Sequence, residues 1–260
     1  MKKLGLVLGS SGSRGISYIG FIKALEENGI KPYCVAGSSM GAVVGSCYCK
    51  GMDSAQMAKE ITTLKASHLI DVSFAPLKNS AILRSNKLIK KLDEYLKGLT
   101  YDDLHIPFCS VAVDLWSGKL ITSRGKDNLT LGVAASATIP SVFKPIEVDG
   151  KLLVDGGVLC RLPVEQAREM GAEVIVTVDA LGQTRPTTKD FNIITVMMRS
   201  YEIMDGFISG LKNDVHKSDL IIYPDLGDMS QFKFKEFEFA LEQGYKAGIE
   251  NIEKIKELIK

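Results

Sequence analysis

One serine in the sequence stands in a setting typical of an enzyme nucleophile. Ser39 lies within Gly-Ser-Ser-Met-Gly, residues 37–41, which fits the Gly-x-Ser-x-Gly pattern of a nucleophile elbow. In that pattern a strand ends in a sharp turn that exposes the serine hydroxyl, and Gly37 and Gly41 allow neighbouring backbone to approach. The pattern has few fixed positions and recurs by chance, so a small-residue turn packed between a strand and a helix is the alternative. Ser39 is therefore a candidate nucleophile whose assignment depends on the groups around it.

A glycine-rich loop precedes this serine by one strand and one helix. Residues 9–15, Gly-Ser-Ser-Gly-Ser-Arg-Gly, follow the apolar run 4–8 and lead into a helix predicted over 16–28. A dinucleotide-binding fingerprint would need glycine where Ser10 stands, and a Walker loop would need Gly-Lys-Ser/Thr at its end. A third interpretation is a nest of backbone N–H groups at a helix N-terminus, which would hold the oxyanion formed when Ser39 attacks an ester.

These segments resemble the patatin-like phospholipase family of serine acyl hydrolases. The resemblance is carried by residues 6–15, by 37–41 and by the string Ala-Ser-Ala-x-Ile-Pro-x-Val-Phe at 135–143. It implies that the glycine-rich loop, which ends in Arg14 and Gly15 as the family's loop ends in Arg or Lys and then Gly, supplies the oxyanion hole. The candidate oxyanion-hole residues are Ser10, Ser11, Gly12, Ser13, Arg14 and Met40, and the motif glycines are Gly9, Gly15, Gly37, Gly41, Gly156 and Gly157.

The loop departs from the family in one respect. The family's usual three glycines are Ser10, Ser11 and Gly12 in this sequence. A backbone N–H survives a change from glycine to serine wherever the position needs no positive φ. We therefore expect the oxyanion hole to persist with altered crowding.

An acidic residue at the end of a later strand is the candidate partner of the serine. Residues 151–155 are predicted to form a strand that ends in Asp155, which Gly156 and Gly157 follow. The resemblance implies that Asp155 takes the proton of Ser39 directly, in a Ser–Asp dyad without histidine. An Asx-turn made by the Asp155 carboxylate is the alternative role.

Other ionisable residues compete for the role of base. Asp114 and Asp179 also follow predicted strands, but no glycine follows either directly, which favours structural roles. Of three widely separated histidines, His216 alone is placed where the order of a Ser-His-Asp hydrolase would require it. Cys160 and Arg161 stand where the family often has asparagines, which leaves the hydrogen bonding behind the aspartate open.

The elements that must position these residues alternate between strand and helix along the whole chain. This alternation predicts an α/β fold, a three-layer α/β/α arrangement with a mainly parallel central sheet, patatin-like, and a site at the carboxyl ends of the strands. A β-hairpin is predicted from 107–114 and 120–123. Other strands are predicted at 173–179 and 220–224, and helices at 132–137, 164–170 and near the C-terminus through residue 255.

We expect residues 1–260 to form a single acyl hydrolase domain with helical cap or lid insertions around 53–100 and 183–215. Residues 85–96 have the spacing of an amphipathic surface helix, and a membrane-docking face is the alternative. The methionines of the second insertion, Met197 and Met204 among them, are expected to fill core, although an adaptable wall would also suit an acyl chain.

Composition excludes several classes of function. With 260 residues, 45% of them hydrophobic, the chain can bury one good-sized core. A formal net charge of +1 without a long basic run predicts no nucleic-acid partner. Five scattered cysteines favour reduced thiols, and no metal site is expected. The apolar run 4–8 is too short for a secretory signal and no stretch would span a membrane, so a soluble, cytoplasmic protein is expected.

The combined expectation is an enzyme, a carboxylic ester hydrolase that acts on lipid esters in the manner of a phospholipase A, lysophospholipase or esterase. It would use Ser39 and Asp155, need no cofactor, and contact a lipid or other acyl ester with transient membrane-surface contact. The alternatives are a non-catalytic protein that kept the fold and a nucleotide-binding α/β protein that uses loop 9–15. Acyl preference and oligomeric state stay open, because acyl pockets are ordinary apolar surface.

Overall fold

The fold is a mixed β-sheet covered by helices on both faces, as seen in a computed structural model. The structure describes residues 1–63, 86–140, 142–182, 196–197, 199–201, 203–204, 206–207, 217–231 and 236–260. The strands are β1 (Leu4–Leu8), β2 (Cys34–Ser38), β3 (Phe108–Asp114), β4 (Lys119–Ser123), β5 (Ile146–Val148), β6 (Lys151–Asp155), β7 (Val174–Val178) and β8 (Leu220–Ile222). The labelled helices are α1 (Ser17–Glu27), α2 (Met40–Lys50), α3 (Ser54–Thr63), α4 (Asn86–Leu96), α5 (Leu129–Ser136), α6 (Val164–Glu169) and α7 (Phe237–Leu258).

The centre of the sheet is parallel, as predicted. The strand order is β5-β6-β3-β2-β1-β7-β8, with β4 also paired to β3. The neighbours β3-β2, β2-β1, β1-β7 and β7-β8 are parallel, whereas β4 and β6 run antiparallel to β3, and β5 antiparallel to β6. The predicted β3–β4 hairpin is confirmed. The β5–β6 hairpin is an addition that was not predicted.

Both faces of the central strands are buried, which explains why β1 and β2 are apolar throughout. On β1, Leu6 packs into a large core with α1, α2 and α7, while Val7 packs into a second core with α6. Side chains alternate between the faces of a strand, so a strand with helices on both faces must be apolar at every position. The three-layer prediction is confirmed.

Strand β3 brings two other strand ends together. It pairs with β4 along one edge, from Ser110 to Asp114. Its other edge is shared, because β2 pairs with it up to Val111 and β6 takes over at Ala112. Strands β2 and β6 run in opposite directions and therefore meet with their carboxyl ends facing each other. The residues that follow β2 and end β6 are forced into contact.

The predicted insertions are described only in part. In the first, Leu88 and Leu92 of α4 are buried, which confirms the amphipathic surface helix, while residues 64–85 lie outside the described residues. In the second, residues 183–195 lie outside them, and Met197 and Met204 are about half exposed, so the core-filling interpretation is wrong for these two. Across the described ranges, no helix is both long and apolar enough to cross a membrane.

Candidate active site

Ser39 occupies a strained turn between β2 and α2. Its φ of 53° and ψ of −121° lie in a region that L-residues rarely adopt, and such a conformation costs on the order of 1–3 kcal/mol. The turn is so tight that a Cβ on Gly41 would collide with the carbonyl oxygen of Leu8. The same crowding holds for every motif glycine: an added Cβ would lie under 3.0 Å from another heavy atom at Gly9, Gly15, Gly37, Gly41, Gly156 and Gly157.

The hydroxyl of Ser39 donates a hydrogen bond to Asp155. The distance from Ser39 Oγ to Asp155 Oδ2 is 2.5 Å. The other carboxylate oxygen, Oδ1, accepts a hydrogen bond from the backbone N–H of Gly157 at 2.8 Å. The Asx-turn and the contact with serine are therefore compatible, since each uses a different oxygen. Both side chains are buried, with 3% of Ser39 and 1% of Asp155 exposed.

Burial makes the Asp155 carboxyl a weaker acid than an ordinary aspartate. Desolvation raises the pKa of Asp155 from its ordinary value of 3.8 to about 7, opposed by hydrogen bonds from Ser39, Gly157 and Ser10. A base whose pKa lies near neutrality is present as carboxylate in part of the population at pH 7, and it accepts a hydroxyl proton in a transition state more readily than an ordinary carboxylate does. The pair therefore has the geometry and the acidity of a nucleophile and its general base.

The neighbouring serine points elsewhere. Ser38 Oγ donates to the carbonyl of Cys160 at 3.0 Å and not to Asp155. The backbone N–H of Ser39 donates to Ser136 Oγ at 3.0 Å, which anchors the strained residue. Ser136 ends α5, and its part in the site was not predicted; the family-like string at 135–143 was the available signal.

The candidate oxyanion donors separate into two groups. The backbone N–H of Ser10 donates to the carbonyl of Arg161 at 3.0 Å, and that of Ser13 to the carbonyl of Gln231 at 2.8 Å. Among the described residues, the N–H groups of Ser11, Gly12 and Met40 make no hydrogen bond to a backbone carbonyl outside their own helices. These three lie beside the Ser39 turn or follow it directly, and they fit the role of a hole for developing negative charge.

The loop keeps glycine where the backbone requires it. Gly12 has a φ of +55°, whereas Ser11 has an extended φ of −160°, so the glycine-to-serine departure falls on a position that tolerates a side chain. The Arg14 side chain secures the loop from behind, where its Nε donates to the carbonyl of Ala180 at 2.7 Å and its Nη1 to that of Met229 at 2.9 Å. Arg14 thus supports the loop through its side chain.

Arg161, one of the two departures behind the aspartate, forms a buried ion pair. Arg161 Nη2 lies 3.1 Å from Asp179 Oδ2, and 6% and 1% of these side chains are exposed. Asp114, the other rival carboxylate, accepts hydrogen bonds from Ser117 and from backbone N–H groups that include that of Leu152. Both rivals therefore hold structure, as predicted.

A tyrosine outside the predicted motifs also reaches this region. The hydroxyl of Tyr201 lies against Gly157, next to Asp155 Oδ1 and Ser10 Oγ. Tyr201 belongs to the second predicted insertion, 46 positions after Asp155 in the sequence. Nothing in its local sequence distinguishes it from a packing tyrosine.

An apolar cavity of about 210 Å³ begins at Ser39. Met40, Val43 and Cys47 line it along one face of α2, and Leu88 and Leu92 line it from α4. Met57 and Ile61 of α3, with Ala137, Ile139, Val142 and Phe143, add to the apolar wall. The polar lining residues include Gln231, Glu60, Lys91 and Tyr95. Such a cavity suits a hydrocarbon chain.

Of the three histidines, the structure describes only His105. His105 lies against Gly51 at the end of α2, away from Ser39. His68 and His216, and with them the Ser-His-Asp alternative, lie outside the described residues. In the same described ranges, no group of three or more His, Cys, Asp or Glu side chains is placed to hold a metal ion.

Comparisons with known proteins show the family of the chain. Residues 6–168 match the family described as patatin-like phospholipase. A Mycobacterium tuberculosis protein described as an uncharacterized NTE family protein is 36% identical over 190 residues, which cover 72% of this chain and 52% of that protein. Lysophospholipase NTE1 of Cryptococcus neoformans is 30% identical over 196 residues, 73% of this chain and 12% of that protein. The matched region thus spans about half of the length of the mycobacterial protein and far less of the length of the Cryptococcus protein.

Among solved structures, VipD from Legionella pneumophila superposes with a TM-score of 0.65 at 17% sequence identity, covering 97% of this chain and 67% of VipD. At that identity the likeness concerns the fold alone. The family match extends over more than half of the sequence and contains both Ser39 and Asp155. The chain belongs to the patatin-like phospholipase family.

Proposed function

We propose that the protein is a serine hydrolase of lipid acyl esters in which Ser39 is the nucleophile and Asp155 the general base. The observation that carries the proposal is the 2.5 Å hydrogen bond from Ser39 Oγ to Asp155 Oδ2 at the end of an apolar cavity. The family membership supports lipid ester hydrolysis as the reaction class.

The reaction proceeds as two acyl transfers. Asp155 Oδ2 accepts the hydroxyl proton while Ser39 Oγ attacks the ester carbonyl carbon, and the N–H groups of Ser11, Gly12 and Met40 stabilise the oxyanion. The tetrahedral intermediate expels the alcohol, which takes the proton from Asp155. A water molecule then gives its proton to Asp155 and attacks the acyl-enzyme, and Ser39 leaves as the hydroxyl when the fatty acid is released.

The cavity supports a substrate with one acyl chain in the site. It follows α2 from Met40 to Cys47, and at about 1.5 Å rise per residue this is roughly 10 Å. An extended covalent chain advances about 3.3–3.6 Å per three bonds, so roughly eight or nine bonds fit. We therefore propose medium-chain monoacyl esters, in keeping with the name lysophospholipase carried by one relative.

Lipid substrates require contact with lipid aggregates. Met197, Met204 and Phe207 are 50%, 55% and 67% exposed in the segment that also brings Tyr201 against Gly157. Exposed apolar side chains next to the site support a transient contact with a membrane surface. The nucleotide-binding alternative is disfavoured because carbonyl groups of Arg161 and Gln231 already accept the N–H groups of Ser10 and Ser13.

A fluorophosphonate probe and p-nitrophenyl esters test the proposal. The wild type should be phosphonylated at Ser39, and Ser39→Ala should lose labelling and about 10⁴-fold or more of its ester hydrolysis. Ser38→Ala is the matched control, because its hydroxyl bonds to the Cys160 carbonyl and should be dispensable for labelling. Hydrolysis at wild-type rates by a correctly folded Ser39→Ala protein would remove the nucleophile assignment.

A further inference from the structure

The carboxylate of Asp155 has a side-chain neighbour that the dyad mechanism does not use. The Ser10 hydroxyl lies on the Oδ1 side of the carboxylate, opposite the oxygen that contacts Ser39. A Cβ built on Gly157 would lie 2.8 Å from Ser10 Oγ and 3.1 Å from Asp155 Oδ1, so both oxygens flank the same point. We propose that Ser10 is a positioning residue whose hydroxyl donates to Asp155 Oδ1 and supports the carboxylate as the base. The inference rests on the proposed function and deepens it.

The position of Ser10 is set by groups behind it. Its N–H donates to the carbonyl of Arg161, and Arg161 is held by the buried Asp179 at 3.1 Å and by the carbonyl of Gly182 at 3.0 Å. The preceding carbonyl, that of Gly9, accepts the hydroxyl of Tyr18 at 2.9 Å. Ser10 is itself buried. Its side chain therefore stands at a fixed place beside the carboxylate.

Ser10 and Arg161, which both depart from the family pattern, are in contact with each other. The family resemblance leads one to expect glycine at Ser10 and often asparagine at Arg161, and these two residues are joined by a backbone hydrogen bond. A glycine at residue 10 would have no hydroxyl to offer the carboxylate. The support from Ser10 would thus be a property of this chain.

The two carboxylate oxygens have different tasks in the proposed reaction. Oδ2 receives the proton of Ser39, so its hydrogen bond with serine changes during every turnover. Oδ1 accepts the N–H of Gly157 and lies beside the hydroxyls of Ser10 and Tyr201, and none of these three groups gives up its proton in the proposed reaction. Because Asp155 is almost fully buried, these donors replace water around a charge that would otherwise be poorly solvated.

Removal of the hydroxyl should raise the pKa of Asp155, because hydrogen bonding from Ser10 lowers it. In Ser10→Ala and Ser10→Gly, the acidic limb of kcat/KM should move to higher pH by on the order of one unit. A role of the Ser10 Cβ in packing alone would leave Ser10→Ala like the wild type. Ser46→Ala is the matched control, since Ser46 is also buried and its hydroxyl donates to the Val43 carbonyl at 2.9 Å.

Titration of the carboxyl itself separates this inference from the proposed function. In protein labelled with ¹³C at aspartate carboxyl groups, the Asp155 signal is identified by its loss in Asp155→Asn. Its titration midpoint should be higher in Ser10→Ala than in the wild type and in Ser46→Ala, with near-ultraviolet circular dichroism as the check on folding. Equal midpoints in Ser10→Ala and wild type would overturn the role of Ser10. Absence of ester hydrolysis by the wild type would instead overturn the proposed function while the titration remains readable.

Discussion

The substitution Asp155→Asn should make the protein inactive and, at neutral pH and above, more stable. Asparagine keeps the shape of the side chain, and its Oδ1 can still accept the N–H of Gly157. Its amide can donate to Ser39 Oγ where the wild-type carboxylate accepts. The substitution therefore removes a buried charge and keeps most contacts of the turn.

The magnitude follows from the raised pKa. Burial moves the pKa of Asp155 from 3.8 to about 7, so the folded protein binds this proton more tightly than the unfolded chain does. The stabilising contribution is then fully present below about pH 4 and is lost as the pH rises to about 7. Each pKa unit corresponds to about 1.4 kcal/mol, which makes the loss roughly 4 kcal/mol.

Urea unfolding of wild type and Asp155→Asn at pH 5, 6, 7 and 8 measures this contribution. The variant should gain on the wild type by about 1.4 kcal/mol per pH unit up to pH 7 and level off above it. For a chain of this size, the full difference corresponds to a rise in Tm of roughly 10 °C at pH 8. Asp228→Asn, on an exposed turn, is the control and should change little at any pH. A stability difference that does not vary between pH 5 and 8 would refute the link between burial and ionisation.

Two further substitutions test the cavity and the support of the loop. Cys47→Trp should fill the far part of the cavity and slow hydrolysis of an eight-carbon p-nitrophenyl ester at least about tenfold, leaving a two-carbon ester unaffected, with Cys47→Ser as the size-matched control. Equal slowing of both esters would contradict this placement of the chain. Arg161→Ala should destabilise by about 3–5 kcal/mol in urea unfolding, because Asp179 would be left buried and charged. Lys246→Ala breaks an exposed pair and should cost under about 1 kcal/mol; equal costs would contradict the buried-pair argument.

Local patterns in the sequence were sufficient for most elements of the sheet. The bounds of β1 coincide with the apolar run 4–8, and the predicted strand ending at Asp155 is β6. These segments carry their signal within a few residues, as runs of apolar side chains closed by glycine or serine. The β5–β6 hairpin was missed although its turn sequence, Asp149-Gly150, is typical of a tight hairpin. In the structure both residues have positive φ, as Asp-Gly does in such turns.

The way in which the site residues come together could be seen only in the structure. The contact between Ser39 and Asp155 depends on β2 and β6 sharing one edge of β3, and pairing across more than 100 residues leaves no local pattern. Tyr201 was missed for the same reason, since it reaches the site only through tertiary packing. Ser136 lies in the family-like string at 135–143, but its contact with the N–H of Ser39 is also tertiary. The division of oxyanion donors also depends on distant carbonyl groups, those of Arg161 and Gln231.

The features that would suit the proposed dyad of Ser39 and Asp155 to chemistry are the same ones that cost stability. Ser39 has a positive φ, and Asp155 carries a carboxyl in a place with almost no water. Neither arrangement would persist in an isolated loop, because the turn would relax and the carboxyl would turn to solvent. Strand β3 prevents both, since it holds the ends of β2 and β6 in register at adjacent residues, Val111 and Ala112. The strain and the raised pKa therefore depend on the central sheet, and substitutions that weaken β3 pairing should reduce activity before they unfold the protein.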